Sequence, residues 1–415
     1  VARRCAVSAG SVAVVATSRP ARLRTLAWRA VARLPGPVRS MAELPVRLRA
    51  DAELRALAPM PPARHRLYIG PWNTAGQAWQ WARAAERHVP DTAAQNLWAQ
   101  RSLAQAHFHY PADHRISVLG QRGRVRRIHG ERVLHDATHV LFESGRPVLA
   151  DFHAGSMLDD VPALETAGIR SAVLYHGSEI RDLRRHAEAY PHSPFRGEWD
   201  DYLRTLQAVV DRNRADLERF DGPVMVSTPD LLDVLPHATW LPLVVDVDRM
   251  ATDRPALERD RPVVLHAPSN PRLKGTDVIE EVLTALQDEG LVEYRRLQGV
   301  PHEQMAGFVA DADVVVDQVV LGNPGVLLTE ALAAGRLVVA HLSDAVRTRM
   351  RDADPCGEEP PVVEADPTTL ARVLREVVGD RAAYRDHAAR GPAWTRRNHD
   401  GTRAAQVLGA WLAGN

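Results

Sequence analysis

A chain of 415 residues is too long for one ordinary hydrophobic core and is expected to form two domains. Its 52 basic and 52 acidic side chains cancel, so no whole-molecule field recruits nucleic acid, and any bound anion must be held by local groups. Cys5 and Cys356 are the only cysteines and fit neither a disulfide framework nor a structural zinc site. That cysteine usage makes a reducing, cytoplasmic setting the default expectation, and no apolar run approaches the ~20 residues that span a bilayer.

The first 42 residues are of a different character, with eight arginines and no acid before Glu43. Arg3, Arg4 and the following AVSAGSVAVVA faintly imitate a secretory signal, but the core is made of small and hydroxyl residues and lacks leucine. RLRTLAWRAVARL is the stronger pattern. Its Leu23, Leu26, Ala27, Ala30, Val31 and Leu34 fall on one helical stripe edged by Arg22, Arg29 and Arg33. Residues 20–34 are therefore a candidate peripheral contact with an anionic membrane; a helix packed on its own protein or a poorly ordered extension is the alternative.

From Arg66 onward, apolar runs alternate with helical stretches. RLYIG (66–70) predicts a strand, PWNTAG a loop, and residues 75–88 an Ala-rich helix. THVLF (138–142), SAVLYH (171–176), PVMVS (223–227) and ATWLPL (238–243) predict further strands, with a long helix over 198–220. The pattern restarts at RPVVLHA (261–267), which leads into PSNPRLKG and a helix over 276–286. YRRLQG (294–299), DVVVDQ (313–318) and RLVVAH (336–341) follow, each ahead of a helix. This alternation implies an α/β protein of two Rossmann-like, doubly wound parallel-sheet domains. The proline- and charge-rich stretch between the two runs reads as a linker. The expected divisions are a basic extension at 1–63, a first domain at 64–245, a second at 246–395 and a terminal helix at 396–415.

Open parallel sheets bind ligands at the carboxyl ends of their strands, so two such domains would hold a ligand in the cleft between them. Lys274 is the only lysine among the 52 cationic positions, and it stands in the loop after RPVVLHA. A compact ammonium on a flexible stem can reach a phosphate where a planar guanidinium does not fit, and Arg272 is placed to add a second contact to a diphosphate. Glu330 lies on an otherwise apolar helix, among Val326, Leu327, Leu328, Ala331 and Leu332. A buried carboxylate needs a partner: a ribose diol offers two hydroxyl donors, while a local arginine is the bland alternative. Gly325 and the N–H groups from Val326 onward open that helix toward a phosphate.

HAPSNPRLKGTDVIEEV, LQGVPHEQMAGFVADADVVVDQ and GVLLTEALAAGRLVVAH together resemble the nucleotide-sugar domain of retaining GT-B glycosyltransferases of the family-four type. LPLVVDVDRM resembles their interdomain segment, GPWNTAGQA their first glycine-containing loop, and LYHGSEIR the strand end that bears their active-site histidine. The resemblance runs over roughly residues 64–412. It implies a GT-B architecture, a nucleotide-diphospho-sugar donor on the second domain, an acceptor on the first, no cofactor and no metal. Lys274 would lie on the diphosphate, Glu330 on the ribose and Gly299 and Val300 near the base. His176 would face the donor sugar, and Gly76 would let the first-domain loop approach it. Closure about the 242–253 linker would then exclude water. Two positions depart from the family pattern: Gly322 replaces a glutamate eight residues before Glu330, and Ser269 replaces an arginine five before Lys274.

Other motifs have plainer readings. DVD at 246–248 matches a metal-binding triplet but sits in the linker, and His107, His109 and His114 lack a fourth ligand. Trp72, Trp79 and Trp81 suit either a sugar-stacking wall or the core. The expected function is a metal-independent glycosyltransferase acting with retention. The acceptor, whether glycan, lipid-linked or small molecule, is left open. A nucleotide-sugar-binding protein without transfer activity and a GT-B-like nucleotide-sugar epimerase are the alternatives.

Overall fold

The computed structural model describes residue 31 and residues 35–56, 59–100, 110–116 and 123–414. The signal-like start, His107, His109 and, apart from Val31, the candidate membrane segment lie outside the described residues. The first sheet comprises β1 (His65–Gly70), β2 (Thr92–Ala99), β3 (His114–Ile116), β4 (His139–Glu143), β5 (Arg170–Tyr175), β6 (Val224–Val226) and β7 (Thr239–Trp240). Its spatial order is β3-β2-β1-β4-β5-β6-β7, with every pairing parallel. The second comprises β8 (Val263–His266), β9 (Glu293–Arg296), β10 (Val314–Val316), β11 (Leu337–Ala340) and β12 (Val362–Glu364), ordered β12-β11-β10-β8-β9 and again all parallel.

The strands are apolar because both faces are covered. In β1, Leu67 and Ile69 pack with the helix Gln77–His88, while Tyr68 between them points into the opposite core. In β8, Val263 and Leu265 enter one core and Val264 the other. The period of two thus serves two buried layers. Each sheet reverses its order once, between β1 and β4 and between β8 and β10. These reversals leave crevices at the carboxyl ends of the central strands.

The chain passes between the sheets twice. The first passage, 241–247, is anchored to the first domain: Trp81 Nε1 donates to Pro242 O at 2.9 Å, and Gln77 both donates to Val244 O (3.0 Å) and accepts from Val244 N (2.8 Å). The return follows the helix Gly391–His399. There His399 Nδ1 donates to Leu243 O at 2.8 Å and its carbonyl accepts from Val245 N at 2.9 Å. Gly401, at φ 106°, splits the expected terminal helix, and the final helix Thr402–Ala413 packs Ala404, Ala405, Leu408 and Leu412 against the first domain. No helix of the described residues is long and apolar enough to cross a membrane.

Candidate functional site

A cavity of about 340 Å³ lies between the carboxyl ends of the two sheets, lined by loops from both. Seven expected residues line it: His176, Lys274, Gly299, Val300, Gly325, Val326 and Glu330. Two do not. Gly76 holds φ 78° and lies against the Tyr110 ring, where an added Cβ would come within 3.0 Å; it borders an adjoining recess instead. Arg272 turns away from the cavity, pairing with Asp200 at 2.6 Å with its guanidinium 5.9 Å above the Tyr202 ring. Because Pro271–Lys274 is a single helical turn, Arg272 and Lys274 point in different directions, and Arg272 ties the two domains together.

Lys274 Nζ donates to Asp317 Oδ1 at 2.6 Å. Asp317 follows β10 directly and its side chain is fully buried. The loop leaving β10 is shaped by Gln318, whose amide nitrogen donates to Asn323 O at 3.0 Å and whose oxygen accepts from Val320 N (3.0 Å) and Leu321 N (2.7 Å). That loop delivers Gly325 to the start of the helix Val326–Ala333. Behind it, His266 Nδ1 donates to Val316 O (2.8 Å) and Nε2 accepts from Thr276 Oγ1 (2.9 Å), stitching β8 to β10 and to the helix Thr276–Asp288. Burial lowers the pKa of His266 to about 4, so the ring is neutral, as this bonding requires.

Glu330, 7% exposed, accepts from His302 Nε2 at 2.8 Å, so its local partner is a histidine rather than an arginine. The His302 ring lies 4.9 Å from that of Tyr110, tilted by 38°, and Tyr110 arrives from the first domain. Burial, reinforced by the Glu330 carboxylate, pushes the Tyr110 phenol well above its ordinary range, so Tyr110 presents a neutral hydroxyl.

On the first domain, His176 follows β5 and stacks on Trp81, with ring centroids 5.7 Å apart. Its Nε2 donates to Glu143 Oε1 at 3.1 Å. Glu143 ends β4 fully buried and accepts three backbone N–H groups as well, from Trp72 (2.9 Å), Asn73 (2.7 Å) and Thr74 (3.3 Å). One carboxylate thus holds both the loop after β1 and the histidine. Since a carboxylate only accepts, it fixes a hydrogen of His176 on Nε2, and in the neutral ring Nδ1 is then the acceptor.

Sequence reading missed Glu143, Asp317, His302, Gln318 and Tyr110. The available signal was an acid placed at the very end of an apolar strand, in LFE and VVVD. Of the other candidates, Asp246 caps the helix Val247–Met250 and Asp248 pairs with Arg396 at 2.6 Å. His114 bonds Gln95 at 3.0 Å within the first domain's core. Trp81 is in the core beneath His176, Trp72 is buried near His153, and Trp79 lies under Arg83.

No family model matches the chain, and no curated relative matches it. Solved structures do. HepE of Anabaena, in complex with UDP and glucose, is similar over 85% of this chain and 100% of its own at 12% identity, with a TM-score of 0.56. Sucrose-phosphate synthase of Thermosynechococcus elongatus covers 84% of this chain and 98% of its own at 13% identity (TM-score 0.51). WaaG, a glycosyltransferase involved in lipopolysaccharide biosynthesis, covers 84% and 100% at 14% identity (TM-score 0.50). The chain therefore has the GT-B fold of glycosyltransferases, with two parallel-sheet α/β domains facing a cleft.

Proposed function

We propose that the protein is a glycosyltransferase that moves a sugar from a nucleotide-diphospho-sugar to an acceptor with retention of configuration, without metal. The observation that carries this is the meeting of Lys274, Glu330 and His176 in one cavity where the reversals of both sheets face each other. The structural neighbour HepE is described in complexes with UDP and with UDP-glucose, which supports a nucleotide-sugar donor.

In this reading the Lys274 ammonium and the N-terminal N–H groups of the helix Val326–Ala333 receive the charge that grows on the departing diphosphate. Glu330 has acceptor capacity beyond the bond from His302, and takes the ribose hydroxyls. His176 offers Nδ1 to a hydroxyl of the transferred sugar while Glu143 keeps the ring in that tautomer. The acceptor enters from the first domain, and residues 20–34 are a proposed membrane contact for a lipid-linked one.

The test is incubation of the purified chain with UDP-, GDP- and TDP-sugars. Slow release of nucleoside diphosphate is the expected result. An isomerised sugar would point to an epimerase, tight binding without turnover to a binding protein, and no interaction with any of them would end the nucleotide-sugar reading.

A further inference from the structure

Asp317 holds an unusual position for a charged group. Its side chain is fully buried, yet it contributes to the cavity wall beside Lys274. Oδ1 is satisfied by Lys274 Nζ, while Oδ2 is buried and has no hydrogen-bond partner. Leaving a buried acceptor unsatisfied is costly, more so when it is charged, and folded chains seldom tolerate this without a use. A methyl group on Gly325 would stand 3.0 Å from Oδ2 and 3.1 Å from Nζ, so any side chain at this position would crowd both atoms. On the wall contributed by the first domain, Thr228 Oγ1 is likewise buried without a partner.

A carboxylate accepts hydrogen bonds and repels phosphate oxygens, whereas the adjacent ammonium attracts them. The group that satisfies Oδ2 is therefore not the diphosphate. A neutral hydroxyl donor carried within reach of a phosphate that sits on Lys274 meets this requirement. We propose that Asp317 is the specificity residue that separates a nucleotide sugar from a bare nucleoside diphosphate, its Oδ2 accepting a hydroxyl of the sugar whose diphosphate Lys274 holds. This rests on the reading of the cavity as a nucleotide-sugar site. The same carboxylate orients the ammonium through Oδ1, so the two halves of the donor are read by one ion pair.

Titration calorimetry with matched ligands tests this: UDP with UDP-glucose, GDP with GDP-mannose, and TDP with TDP-glucose, on the full chain and on Asp317→Asn. For the pair that the native chain binds, Asp317→Asn should weaken the sugar nucleotide at least tenfold relative to the diphosphate. Affinity for the diphosphate alone should hold or rise, because Lys274 loses a competing negative charge. Equal losses for both ligands, or an unchanged ratio, overturn the role of Asp317 while the nucleotide-sugar reading stands. Absence of binding to the native chain by all three pairs overturns both. Should Asp317→Asn fail to melt cooperatively, deoxy-sugar nucleotides of the preferred base give a second measurement on the native chain. One of the 2-, 3-, 4- and 6-deoxy analogues should bind at least tenfold more weakly than the parent, and equal binding by all four overturns the proposal.

Discussion

Both domains place a buried carboxylate at nearly the same topological point, at the end of the strand just past the reversal of the sheet: Glu143 as the last residue of β4 and Asp317 directly after β10. Their bonding differs. Glu143 accepts from four donors, all within its own domain, whereas Asp317 has one partner and one free oxygen. A saturated carboxylate serves the chain by fixing a loop and a side chain. An unsaturated one on a cavity wall is available to something that is not part of the chain.

The contrast is most easily broken by stability measurements. Glu143→Ala strands three backbone N–H groups and the His176 ring, and should cost about 3–5 kcal/mol in urea unfolding. Asp317→Asn keeps a polar group of the same shape and should cost no more than about 1–2 kcal/mol. Similar losses for the two would erase the distinction between scaffold and ligand-facing carboxylates.

Ligand affinity sharpens the comparison from the cationic side. Lys274→Ala removes a charge-assisted bond worth about 1.5–3 kcal/mol, so calorimetry should show the nucleoside diphosphate binding roughly 10- to 150-fold more weakly. Unchanged affinity would remove Lys274 from the site.

Acid should weaken both domains, the first more than the second. Burial depresses the pKa to about 3 for His129 and about 4 for His114 in the first domain, and to about 4 for His266 in the second. These rings stay neutral when folded and take up protons on unfolding. Their stabilising contribution is complete above the ordinary histidine value of about 6.5 and is lost as pH falls through that value toward the folded ones. The melting temperature should therefore fall steadily between pH 7 and pH 4.5, with net proton uptake on unfolding. A flat profile would contradict the burial of these rings.

The smallest effect belongs to Arg272. Its pair with Asp200 is open to solvent and spans the domains, and screening leaves such pairs little to contribute. Arg272→Ala should change diphosphate affinity less than twofold by calorimetry, in contrast to its near neighbour Lys274.

The alternation of apolar strands with helices was readable because period-two burial on both faces leaves an almost continuous hydrophobic run. β2 escaped notice because polar Gln95 and Asn96 interrupt its apolar run, and their partners are distant: His114 on the side chain of Gln95 and Asp113 on the backbone of Asn96. β3 and β12, at three residues each, are too short for any period to show. In the site, Lys274 and Glu330 stood out as chemical exceptions within their own surroundings. Glu143 and His302 did not, since their meaning lies in partners such as His176, 33 positions away, and Glu330, 28 positions away. Arg272 shows the converse, where proximity in sequence to Lys274 suggested a shared target that one helical turn separates.

The laced passages at Leu243–Val245 and His399 bear on how substrates get in and out. The two crossings lie side by side and are bonded to each other, so the halves share one short edge, and a swing about that edge would widen the gap between His176 and Lys274.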